Sequence, residues 1–331
     1  MLRAQPSPRR LSNRRAPRPE ARVPRGRCRP KVCQPVQYDA TKPLWIDTPT
    51  QLAEACAQWQ TRDWISVDTE FVRINTYRAQ LCLVQIGDGS LNACIDPLAI
   101  DDLTPMWALM ANAGILKVLH ASGQDFELVV EHTGRTPAPV FDTQIAATLI
   151  GLGDQLGYAG LVEKRLGLPV DKSLSRTDWA RRPLTQPEID YAADDVRHLS
   201  ALYPALRDEV AARGRLPWLL EDCERLTEPT RYQVLPENAW TRLKGLNRLP
   251  ADAQGRAAAL AAWRETEAAQ RNRPRKWILE DAALYRMAER NPQTPDALAT
   301  LAVLPDKTLS RHGKALLEVL EQANGLPVHV W

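Results

Sequence analysis

From Trp45 onward the apolar positions fall into two textures, short β-branched runs and longer stretches of helical period. Residues 64–71, 80–87 and 91–96 have the first texture and predict strands, with Asp88-Gly89 as a hairpin signal between the last two. Residues 47–60 read as a strand end followed by a helix, 106–113 as a helix, 116–121 as a buried strand, and 124–132 as a helix stopped by Gly134. Residues 140–143 read as a short strand end that leads into a helix over 144–152. A long helix starts near Thr185, where Thr185 and Glu188 have capping-box spacing around Pro187, and Gly214 stops it. Strands interleaved with helices in this way predict an α/β fold with a mixed sheet.

The texture changes after residue 226. Residues 227–236 are polar with two prolines and read as a linker. Beyond them the period is helical throughout, over 237–246, 251–270, 280–290, 295–301 and 314–323, which predicts a small all-α second domain. Residues 1–43 hold 8 of the 26 prolines and show no apolar periodicity, so they read as a disordered basic arm. The chain therefore divides into an arm (1–43), an α/β domain (44–215), a connecting segment (216–235), a helical domain (236–323) and a short tail (324–331).

Composition narrows the class. Apolar residues make up 44% and charged residues 25%, ordinary globular usage. The apolar runs fall well short of the ~18 residues of a membrane span. The arm has no apolar signal-peptide core, so a cytoplasmic protein is expected. Six scattered cysteines without CxxC spacing exclude a disulfide scaffold and a zinc finger. The net charge of +3 conceals an asymmetry: +10 over residues 1–43, −10 over 44–235 and +3 over 236–331. Basic segments attract polyanions such as nucleic acid. An acidic domain beside them repels the same ligand unless bound cations neutralise part of its charge.

The acidic residues that matter are patterned. Asp68 and Glu70 share one face of the strand over 64–71, opposite Ile65, Val67 and Phe71. Two carboxylates about 4 Å apart repel by about 4 kcal/mol at an effective dielectric of 20, so one takes a proton or both share a cation. The bland alternative is a solvated strand end. Asp125 opens the helix after a buried strand, where Ser122-x-x-Asp125 also reads as a capping box. On the long helix Tyr191, Asp195 and His198 line one face at spacings of four and three. Asp194 lies three residues from Tyr191, so spacing does not choose between Asp194 and Asp195, and a solvated helix face is the alternative for all of them. All-oxygen ligands suit Mg²⁺ or Mn²⁺ rather than zinc. Four carboxylates with no serine or cysteine triad point to two-metal phosphodiester hydrolysis.

Asp68-Thr69-Glu70-Phe71, His120-x4-Asp125 and Tyr191-x3-Asp195 resemble the three exonuclease motifs of the DEDD superfamily in its tyrosine-bearing form. With Tyr77-x2-Gln80-Leu81, Phe141-Asp142-Thr143-Gln144 and the run from Asp171 to Trp179, the chain is similar to the bacterial ribonuclease D family over residues 43–223. Residues 236–323, including Arg311-His312-Gly313-Lys314, resemble an HRDC domain, a nucleic-acid-binding module. The resemblance implies a ribonuclease H-like fold with a five-stranded mixed sheet flanked by helices. It also implies 3′→5′ exoribonuclease action that releases nucleoside 5′-monophosphates, with tRNA precursors among the substrates. In that pattern Asp68, Glu70 and Asp195 hold one metal ion, Asp68 and Asp125 hold a second, and Tyr191 hydrogen-bonds the attacking water, which favours Asp195 over Asp194.

Substrate contacts are less sharply marked. Phe71 suits stacking on a terminal base, although core packing is the commoner fate of phenylalanine. Lys172 and Arg176 are candidate phosphate contacts, with ion pairs to Asp171 or Asp178 as the alternative. Arg271, Arg273, Arg275 and Lys276 place four cations in six residues beside Trp277, a candidate RNA patch or a solvated loop. His120 reads as satisfying a backbone group. A DNA exonuclease of the same superfamily and a non-catalytic RNA-binding protein are the competing readings. The expected partner is RNA with a free 3′ end, with no membrane and no obligate protein partner, and the expected state is a monomer.

Overall fold

The computed structural model describes residues 42–171 and 173–324. The expected basic arm and tail lie almost wholly outside these residues, as does Lys172. Among the described residues no helix is long and apolar enough to cross a membrane.

Six strands form one mixed sheet in the order β1-β4-β3-β2-β5-β6: β1 (Leu44–Ile46), β2 (Trp64–Val72), β3 (Gln80–Gly87), β4 (Asn92–Ile95), β5 (Leu116–Leu119) and β6 (Val140–Asp142). The five-stranded expectation is corrected by β1, a three-residue edge strand parallel to β4. Three residues carry no detectable period, so the sequence predicts only a strand end from Asp47, just beyond β1. The hairpin forms as expected: Gly87 pairs with Asn92, the Asp88 N–H meets the Leu91 carbonyl at 3.1 Å, and Gly89 takes the turn at φ +84°.

Side chains alternate across β2 and sort the helices into two layers. Ile65 and Val67 point to the core under α1 (Pro49–Trp59), α2 (Thr104–Ala111) and α3 (Gly123–Thr133), where Leu52, Trp59, Met106, Leu109 and Phe126 are buried. The other layer holds α4 (Thr143–Leu149), α5 (Tyr158–Leu166), α6 (Gln186–Ala212) and α7 (Leu216–Leu226), packed through Phe141, Leu161, Leu202, Leu206 and Leu219. Helix α6 begins at the expected capping box, with the Thr185 N–H donating to Glu188 at 2.7 Å. Two helices of these layers were not anticipated. Helix α5 lies between Gly157 and Gly167 in a stretch too short to show a period, and α7 occupies the first half of the segment read as a connection. Lys117 is fully buried in β5 and offers its ammonium to the carbonyls of Asn112, Ile115 and Ala138 at 2.5–2.8 Å, as a buried charge must.

The helical region is built on α8 (Ala251–Arg271), with α9 (Arg275–Ile278), α10 (Asp281–Arg290), α11 (Pro295–Thr300) and α12 (Asp306–Ala323) around Leu260, Leu284, Met287, Leu298 and Leu316. The helix expected over 237–246 is instead a 3₁₀ turn at Pro236–Arg242, ended before Gly245 at φ +85°. Helix α12 starts eight residues before the expected 314, running straight through Gly313. A Cβ on Gly313 would make only ordinary contact with Leu309 at 3.4 Å, so glycine here neither stops the helix nor is demanded by packing.

Candidate active site

The site forms where β2 outruns its parallel neighbour. Strand β5 pairs with β2 only as far as Ser66, so Asp68, Thr69 and Glu70 continue past it. Helix α3 enters the space beyond β5. Its entry turn holds Ala121 at φ +53°, a left-handed conformation that costs a non-glycine residue about 1–3 kcal/mol. Asp142 over-determines that turn. Its carboxylate accepts from the backbone N–H of Ala121 (3.2 Å) and of Ser122 (3.0 Å), from the Ser122 hydroxyl (3.0 Å), and from Gln144 N–H (2.8 Å). Ser122 is therefore spent on Asp142 and makes no cap, which corrects the capping-box alternative for Asp125. Asp125 instead accepts a hydrogen bond from the Thr69 hydroxyl at 2.5 Å.

On the opposite face, α6 lies close against the sheet. The Ser66 hydroxyl bonds the Val196 carbonyl at 2.9 Å, the Gly87 carbonyl at 3.1 Å and Ser200 Oγ at 2.8 Å. A side chain on Gly87 would strike Asn92 at 2.7 Å and Ser66 at 2.8 Å and crowd Ser200 of α6 at 3.1 Å, so glycine at this position leaves room for the helix. This registration delivers Asp195 to Asp68 and Glu70. Ligand oxygens of the three carboxylates lie within 4.8 Å of one another. Asp194, which spacing could not separate from Asp195, is ion-paired with Arg197. Tyr191 sits one turn before Asp195 and is stacked on Trp179, ring centroids 6.3 Å apart.

The electrostatics follow from burial and crowding. Desolvation raises Asp68 well above the carboxylate range, and the charges of Asp195, Asp125 and Glu70 add to it. Glu70 is pushed up to about 8, by burial first and then by Asp195 and Asp125. Burial takes Asp195 to about 7 and Asp125 to about 6, the Thr69 hydrogen bond holding Asp125 back. Tyr191 rises to about 12, by burial and then by Asp195, so its hydroxyl stays protonated at neutral pH. Mutually repelling hard oxygens that are costly to ionise together fit a divalent cation of the Mg²⁺ or Mn²⁺ class.

One residue was invisible to sequence reading. The Tyr158 hydroxyl, from the first position of α5, lies 3.1 Å from the Asp195 carbonyl and 3.1 Å from His198 Nδ1, and also hydrogen-bonds the Asp195 carboxyl. No local spacing signals a contact across 37 residues. His120 meets the Thr143 hydroxyl at 2.9 Å through Nδ1 and also engages the Leu156 backbone, a group of the kind expected.

The proposed substrate contacts scatter. Phe71 follows a bulge after Glu70 and packs partly buried on the main core. Arg176 is exposed, and Asp171 accepts from the Ser173 N–H and hydroxyl at 2.8 Å. In the helical region Arg271 pairs with Glu267 at 2.6 Å. Arg275 is engaged with Glu265 at 2.5 Å, which turns it away from an exposed RNA-facing role. Arg273 and Lys276 are exposed, with Arg273 placed 5.9 Å over the Trp277 ring.

Residues 43–211 match the family model described as 3′-5′ exonuclease, and residues 253–320 match the HRDC domain. Ribonuclease D of Zymomonas mobilis is 45% identical over 287 residues, covering 86% of this chain and 73% of that protein. The chain belongs to the ribonuclease D family. Ribonuclease D of Sphingobium indicum is 47% identical over 258 residues, covering 77% of this chain and 66% of that protein. The crystal structure of Escherichia coli RNase D superposes with a TM-score of 0.79 at 36% identity, covering 86% of this chain and 76% of that one. As a member of the ribonuclease D family the chain is a 3′–5′ exonuclease, and it carries an acidic cluster that could hold a metal ion.

Proposed function

We propose that this enzyme trims RNA from the 3′ end, tRNA precursors among its substrates, and releases nucleoside 5′-monophosphates one at a time. The observation that carries the reading is the convergence of Asp68, Glu70 and Asp195 within 4.8 Å, with no nucleophilic side chain required. Escherichia coli RNase D, an exoribonuclease involved in structured RNA processing, supports RNA as the polymer.

Asp68, Glu70 and Asp195 would hold one divalent ion and Asp68 with Asp125 a second. Bound there, such ions supply a hydroxide nucleophile at neutral pH and stabilise charge on the leaving 3′-oxygen. The protein's own groups do the orienting. Tyr191, protonated at neutral pH, donates to the attacking water and fixes its lone pair toward the phosphorus. Tyr158 restrains Asp195, and Thr69 restrains Asp125. Arg273 and Lys276, with the ring of Trp277, offer phosphate and stacking contacts to the RNA body.

Digestion of matched RNA and DNA oligomers in parallel, with products weighed by mass spectrometry, tests the reading. The expected result is nucleoside 5′-monophosphates from RNA, with DNA degraded more slowly. Preferential attack on DNA would transfer the enzyme to the DNA-directed branch of the superfamily, and 3′-monophosphates would refute the chemistry.

A further inference from the structure

The loop of residues 73–79 follows directly on β2, three residues after Glu70, and is held from two sides. On one side Arg73 pairs with Glu127 at 2.7 Å and Arg78 with Glu131 at 3.0 Å, both acids on α3, the helix that carries Asp125. On the other side lies the helical region. There Asn272, in a left-handed turn at φ +47° that ends α8, accepts from the backbone N–H groups of Tyr77 (3.1 Å) and Arg78 (3.0 Å). Glu265, only 2% exposed, accepts the Tyr77 hydroxyl and grips Arg275 with both carboxylate oxygens at 2.5 and 2.6 Å. The Arg275 guanidinium in turn lies 4.7 Å over the Tyr77 ring.

This is more than a surface contact. A carboxylate as buried as Glu265 is tolerated only with its partners in place, so the arrangement is closely specified. Its partners sit on both parts of the chain. Tyr77 comes from the exonuclease region, while Arg275 comes from the helical region and reaches back over Tyr77. The loop that it fixes begins three residues after Glu70, and its arginines pair with acids on the helix of Asp125.

We infer that the helical domain has a second role besides binding RNA: through Glu265, Asn272 and Arg275 it clamps Tyr77 and so positions the strand and helix that carry Glu70 and Asp125. These are positioning residues, acting through the loop and not on the substrate. The inference rests on the exonuclease reading of the acidic cluster, and it separates two roles for the helical domain that long RNA substrates confound.

A dinucleotide separates them, because it occupies the reaction centre without needing contacts along the RNA body. In the full-length enzyme, Tyr77→Phe and Asn272→Ala are expected to lower kcat on the dinucleotide by about tenfold, since small misplacements of reacting groups cost at least this much. KM should change less than about twofold. Amide exchange in residues 73–79 should accelerate in both variants, a readout independent of turnover. Glu265→Gln should behave alike, and the two milder variants keep the test valid if it folds poorly. Wild-type turnover and slow exchange, with losses confined to long RNA, would overturn the clamp and leave the helical domain a binding module alone. A wild-type enzyme unable to cleave the dinucleotide yet showing accelerated exchange in the variants would retain the clamp and count against the exonuclease reading instead.

Discussion

Asp68→Asn is expected to reduce nucleotide release by about 10³-fold or more while making the metal-free protein more stable. Both halves have one cause. Asp68 faces the charges of Asp195, Asp125 and Glu70, and the substitution preserves shape while removing the charge at the centre of the group. Its stability gain should depend on pH. In the metal-free fold Glu70 keeps its proton up to about 8 and Asp195 up to about 7. The unfolded chain releases those protons near 4. The folded state therefore binds more protons between those limits, and wild-type stability falls as pH rises from about 4 to 8. Asp68→Asn should stabilise more at pH 8 than at pH 5, measured by thermal melts in the presence of chelator. RNA affinity, read by fluorescence anisotropy, should stay within a few-fold. Retained nucleotide release would remove Asp68 from the reaction centre. The neighbouring control is informative: Asp194→Asn removes an acid already paired with Arg197 and should leave most activity intact.

Tyr191→Phe is expected to lower kcat by about 100-fold, within the range for a lost hydrogen bond to a reacting group. The ring keeps its stack on Trp179, so the fold should tolerate the change. The hydroxyl is not a metal ligand in this account, and the divalent-ion concentration for half-maximal activity should stay nearly constant. A large rise in that concentration, with kcat recovered at saturation, would mean that Tyr191 supports ion binding rather than the attacking water.

How far these residues could be read in advance depends on the range of the interaction that places them. Asp68 and Glu70 were legible because a strand's period of two is local and two acids on one face of a buried strand demand a partner. The choice of Asp195 over Asp194 was open to spacing and came only from the family resemblance, because it rests on which side of α6 meets the sheet, and that is set by Ser66, Gly87 and Ser200. Asp125 competed with a local capping pattern, and the competition was decided by Asp142 from a later strand, which took Ser122. Tyr158 left no trace in any window. Arg275 looked like one of four RNA-facing cations, yet its partner Glu265 sits 10 residues earlier on α8 and draws it against Tyr77. The α/β character and the helical second domain were clear from periodicity, whereas the three residues of β1 and the short α5 fell below the length at which periodicity speaks.

The central claim is that a cluster of reluctant acids becomes a reaction centre by exchanging protons for divalent ions. Calorimetric titration of the metal-free enzyme with Mn²⁺ at pH 7, repeated in buffers of different ionisation enthalpy, counts both at once. The account predicts ion uptake with net proton release at pH 7, shrinking as pH rises above about 8, where Glu70 has already lost its proton, and largely lost in Asp68→Asn. Ion binding without proton release, or the same binding after Asp68→Asn, would contradict it.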